Sequence, residues 1–261
     1  MKVDGNDVHA YQRNWQVYPF AELPRLFYVF DSDGDQSERI AAFNLADKDG
    51  QELVTMAEKL GVKSPSDNPD QEIADVQLTV HFGVTSLDPI RSAPEEARIQ
   101  LLVNLYDGKN KTYSETFAMT WWSNPPLPGN GRQEIDDENP VDALPAAGAY
   151  LFVYSWLQKP QAELGLPFEA NGGFLGKRVK NYSFLPHETA QIIARLKSRD
   201  TSRLSVFMGI GPSILSHPFS FRPIIECRDP SANVTKLLAG GGGGGSNPFY
   251  DYSKPEPPPK D

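Results

Sequence analysis

Val76-Gln77-Leu78-Thr79-Val80-His81-Phe82-Gly83-Val84 decides how this chain is read. Val76, Leu78, Val80, Phe82 and Val84 alternate with Gln77, Thr79, His81 and Gly83. Side chains on a strand point alternately to its two faces, so this pattern predicts a half-buried strand over 75–85. Ile99, Leu101, Val103 and Leu105 repeat it and predict a second strand over 97–106. Asp107-Gly108 then reads as a hairpin turn, since glycine accepts positive φ. The return strand over 110–122 places Tyr113, Phe117, Met119 and Trp121 on one face and Thr112, Ser114, Thr116 and Thr120 on the other.

Outward from this hairpin, further strands are predicted at Leu26–Phe30, Arg39–Leu45, Ala149–Leu157, Arg178–Phe184, Arg203–Ile210 and Phe219–Cys227. Two helices stand out. Asp49 and Glu52 have the spacing of a capping box, Leu53, Met56, Ala57 and Leu60 follow at helical spacing, and Gly61 marks the stop. The second starts near Pro186 with Glu188 in its first turn, buries Thr189, Ile192, Ile193 and Leu196, and ends among Arg195, Lys197 and Arg199. The expected fold is mainly β: a β-sandwich, with a jelly roll as its specific form, two short covering helices and long loops. Residues 1–24 read as an N-terminal arm, 25–238 as the β-rich globular domain, and 239–261 as a glycine linker and proline-rich tail.

Composition narrows the function. Hydrophobic residues make up 39% of the 261, enough for a true core. The formal net charge of −9 disfavours phosphate backbones and anionic lipid surfaces, so neither nucleic acid nor membrane is an expected partner. The single cysteine, Cys227, permits no intramolecular disulfide. The polar start Met1–Asp7 has no apolar stretch behind it, so the expected location is the cytoplasm or a particle assembled there.

No motif carries a catalytic chemistry. Asp31, Asp33 and Asp35 in Asp31–Glu38 are candidate calcium ligands, because a hard cation takes several oxygens. Gln36 and Ala42 stand where an EF-hand frame needs glycine and glutamate, and a solvated turn explains the cluster without a metal. Gly172-Gly173-Phe174-Leu175-Gly176-Lys177-Arg178 is one residue short of a phosphate loop, and Gly209-Ile210-Gly211 lacks the third glycine of a dinucleotide fingerprint. Cys227 reads as a small core residue, and His9, His81, His187 and His217 do not pair at metal-ligand spacing. Two long connections, 123–148 and 158–176, are either functional loops or conceal short helices.

The tail differs in kind. Gly240–Gly245 is a flexible linker by composition. Beyond it, Asn247-Pro248 favours a turn, Phe249, Tyr250 and Tyr252 are aromatic anchors, and the prolines around Pro257 stiffen the chain. Asn247-Pro248-Phe249-Tyr250 resembles the NPxY peptides that phosphotyrosine-binding-type domains capture by strand addition, and its first three residues match NPF. The expected function is therefore a non-enzymatic structural protein, a coat or shell subunit in its specific form. Its tail and loops would dock a protein partner or further copies of the chain. Two alternatives stand beside it. One is a binding module for calcium, carbohydrate or peptide, using Asp31, Asp33 and Asp35 or Trp121 and Trp122. The other is an enzyme built on the acidic loop Glu134, Asp136, Asp137 and Glu138.

Overall fold

Alternation over Val76–Val84 folds as expected into the central strand of a sheet, in a computed structural model that describes residues 1–30, 36–64, 73–87, 98–122, 125, 146–169, 178–198, 203–212, 219–228, 249–250 and 254–256. In chain order the elements are β1 (Lys2–Val3), α1 (Gly5–Val17), β2 (Tyr28–Phe30), β3 (Gln36–Arg39), β4 (Ala42–Asn44) and α2 (Asp47–Lys59). Then come β5 (Val76–Val84), β6 (Ile99–Asp107), β7 (Thr112–Tyr113), β8 (Thr116–Ala118), β9 (Thr120–Trp122) and α3 (Ala146–Gln158). The last are β10 (Asn181–Ser183), α4 (Pro186–Ser198), β11 (Arg203–Pro212), β12 (Phe219–Arg228), β13 (Phe249–Tyr250) and β14 (Lys254–Glu256). Short 3-10 segments cover Phe20–Phe27, Gln161–Glu163 and Leu166–Phe168.

One large sheet runs β1-β8-β6-β5-β10-β14 with β7 attached to β6, a second runs β13-β12-β11-β4-β9, and β2 and β3 pair as a separate two-stranded ribbon. The pairings are antiparallel throughout. Their inner faces share one core, in which Phe82 and Tyr182 of the first sheet meet Phe221 of the second at ring distances of 5.2 and 5.4 Å. Phe168 fills the space beside them, stacked on Phe221 at 4.8 Å. The return strand after the hairpin divides between the sheets: β8 pairs with β6, and β9, only two residues on, pairs with β4. A strand that changes sheets in this way ties the two layers at a corner.

Two antiparallel sheets match the expectation; a mainly β chain does not, and the strand orders do not form a clear jelly roll. The fold is mixed α and β, and the helices missing from the sequence reading account for the difference. Ala149–Leu157, read as a strand, lies inside α3. Ala149, Val153 and Trp156 are buried while Leu151 and Tyr154 face out, a helical spacing hidden within a continuous apolar run. Gly209 and Gly211 let this helix lie on β11: a Cβ at Gly209 would come 2.7 Å from the Arg222 carbonyl and 3.3 Å from Phe152 Cβ. Residues 1–24, read as an arm, contain α1, whose Trp15 is fully buried and stacks on Phe82 at 4.9 Å. Its sequence is polar almost all round, with only Val8 and Trp15 buried, so no apolar stripe announces it.

The two expected helices form with adjusted starts. α2 begins at Asp47, so Asp49 lies inside its first turn rather than at the cap, and Gly61 takes φ +83° just beyond its end. In α4, Glu188 Oε2 accepts from the Leu185 N–H at 2.7 Å, and Ile192, Ile193 and Leu196 are buried as expected. The hairpin is longer than a two-residue turn. Asp107 accepts from the backbone of Lys109 and Asn110, and Lys111, not Gly108, has positive φ. A Cβ at Gly108 would meet only the carboxylate end of the Asp75 side chain, which can turn aside.

Candidate functional site

The outer face of the first sheet is not the solvated face that alternation predicts. Register places Thr79 opposite Asn104 on β6 and Ser183 on β10, and His81 opposite Asn181 on β10. Thr79, His81, Asn104, Asn181 and Ser183 are all buried. Buried polar groups need partners, and a row of hydrogen bonds across the strands supplies most of them. Thr79 and Ser183 hydroxyls lie 3.2 Å apart. Asn104 Nδ2 donates to Thr116 Oγ1 at 3.0 Å, which turns Asn104 Oδ1 toward His81 Nε2 at 2.9 Å. An amide oxygen only accepts, so Nε2 carries the imidazole proton and Nδ1 has the free lone pair. Burial pulls the His81 pKa down to about 4, against a smaller opposing effect of the Asn104 hydrogen bond. The ring is therefore neutral at ordinary pH.

Helix α1 covers this row. Asp4 starts the helix by accepting from the Asn6 N–H at 2.9 Å. Gly5, Val8, His9 and Gln12 then fall on one helical face and roof a cavity of about 570 Å³ whose floor holds His81, Asn104, Thr116 and Asn181. Gly83, the small member of the alternation, lets the helix approach: a Cβ there would sit 2.8 Å from Tyr11 Cβ. The far end of α1 is anchored by Arg178, whose guanidinium donates to the carbonyls of Trp15, at 2.6 Å, and Tyr18. Trp15 Nε1 donates in turn to Val179 O at 2.8 Å. Tyr113 edges against His81 at 5.3 Å between ring centres and is half exposed. Asn181 Oδ1 is buried and accepts no hydrogen bond among the described residues.

Other residues singled out in the sequence lie elsewhere. Asp31, Asp33 and Asp35 fall outside the described residues, as do Glu134, Asp136, Asp137, Glu138 and the glycines of 172–176. Among the described residues no group of three or more His, Cys, Asp or Glu is placed to hold a metal, and no helix is long and apolar enough to cross a membrane. Trp121 packs toward the main core and Trp122 toward α3, so the pair does not present one platform. Cys227 is buried, and desolvation, the largest cause, pushes its thiol up to about 12. That suits a core residue rather than a nucleophile.

In the tail, Asn247, Pro248, Tyr252 and Pro257 lie outside the described residues, while Phe249 and Tyr250 form β13. β13 pairs with β12, Tyr250 opposite Ile225 and Phe249 opposite Glu226. β14 pairs with β10, Glu256 opposite Asn181 and Lys254 opposite Ser183. The tail thus adds one strand to the edge of each large sheet. Comparison of the chain with protein-family models, curated proteins and solved structures finds no match.

Proposed function

We propose that this chain is a non-enzymatic structural protein that assembles by strand addition, its C-terminal tail closing the sheet edges of a neighbouring copy. The observation that supports this reading is the double edge pairing of β13 on β12 and β14 on β10. An open sheet edge presents unpaired N–H and C=O groups and captures an extended segment through its backbone. Such pairing tolerates exchange, because the same segment fits its own edge and an identical edge on a second copy equally well. The connection between Arg228 and Phe249 is long enough for either. Its roughly 20 residues span up to about 65 Å when extended, and its six consecutive glycines are a linker composition. A coat or shell subunit is the specific form of the proposal.

The test is a backbone one. Tyr250→Pro removes an N–H from β13, the edge strand, and leaves the residues of the other strands unchanged. The expected outcome on size exclusion with light scattering is a marked fall in the associated fraction, whereas Tyr250→Phe keeps it. Equal masses for wild type and Tyr250→Pro would remove strand addition as the mechanism.

A further inference from the structure

We infer that the cavity between α1 and the outer face of the first sheet binds a small neutral polyhydroxylated ligand of mono- or disaccharide size. This is independent of assembly through the tail. The floor of the cavity is built from uncharged polar groups held in fixed orientations. Asn104 is locked between Thr116 and His81, and His81 is thereby fixed in the tautomer that leaves Nδ1 an acceptor. Asn181 lines the same cavity; its Oδ1, which accepts no hydrogen bond among the described residues, lies beneath the cavity surface rather than on it. One fixed acceptor in a concave site, among amides and hydroxyls, calls for a ligand that brings hydroxyl or N–H donors.

Charge argues against an ion. The charged lining residues Lys2 and Glu115 pair with each other at the exposed rim, and Asp4 is engaged in capping α1. Lys180 also lines the cavity, and one ammonium beside Asp4 and Glu115 does not make an anion site. Tyr113 adds an exposed aromatic ring against the C–H face that a pyranose presents. The volume, about 570 Å³, lies within the usual range of small-molecule sites. Alternation puts His81 on the polar face of its strand, and nothing in the pattern reveals that α1 lies over that face.

The test uses the full chain labelled with nitrogen-15. The His81 ring nitrogens and the Asn181 side-chain amide are followed while glucose, galactose, N-acetylglucosamine and trehalose are each titrated through the millimolar range, with sodium sulfate as the charged control. The expected result is a saturable shift of both groups with at least one sugar and none with sulfate. Tyr113→Ala, at an exposed position, is expected to weaken that sugar about tenfold, and Asn181→Leu to abolish its effect. The inference is overturned if no sugar shifts the two groups, if sulfate shifts them as the sugars do, or if Tyr113→Ala leaves the affinity unchanged. Should Asn181→Leu fail to fold, the Tyr113→Ala result decides alone.

Discussion

At the scale of single residues, His81 concentrates the chemistry of the fold. Its pKa of about 4 lies below the ordinary 6.5 because the buried ring resists charging. The unfolded chain takes up this proton first, as pH falls through 6.5. Stability contributed by the neutral ring is therefore fully present above that pH, falls between 6.5 and 4, and levels off below. The difference in pKa corresponds to about 3 kcal/mol at the lower end. Urea unfolding should show this loss between pH 7 and pH 4, and His81→Gln, which keeps a donor for Asn104 but does not titrate, should flatten the curve in that window. An unchanged slope in His81→Gln would mean that other groups carry the acid sensitivity. Alternation alone put His81 on the face opposite the core, and that placement holds. What it could not supply was burial, because the cover is a helix distant in sequence. Gly83 was the local trace of that cover, a side chain omitted where Tyr11 comes close.

At the scale of elements, legibility followed amphipathicity. β5, β6 and α4 carry clean period-two or helical stripes and form where the pattern places them. α1 and α3 fail in opposite ways. α1 is too polar to show a stripe, and α3 is too uniformly apolar to distinguish a helix from a buried strand. Both are held by contacts that only the tertiary fold provides. For α1 the key group is Arg178, which serves its last carbonyls as a C-terminal cap. Arg178→Met leaves those carbonyls short of donors and should cost about 2–4 kcal/mol. Hydrogen exchange should then rise in α1 well before it rises in α4. Equal loosening of both helices would contradict the view that Arg178 pins α1 locally. The calcium reading at Asp31, Asp33 and Asp35 and the acidic loop lie outside the described residues, so they stay where sequence left them.

At the scale of the whole molecule, two antiparallel sheets share an aromatic core and expose edges that a terminal segment can close. The tail's composition, aromatics and prolines behind a glycine linker, is the basis for proposing it as a recognition element. Its pairing with β12 and β10 was not legible, since backbone pairing of an edge leaves little imprint on side-chain pattern. Exchange of that tail between copies is the central claim. Light scattering after size exclusion on the full chain, beside a truncation ending at Leu238, tests it most directly. The account predicts a defined particle of several chains for the full length and a monomer for the truncation. Monomers of one size in both, or a truncation that associates more than the full chain, would contradict it.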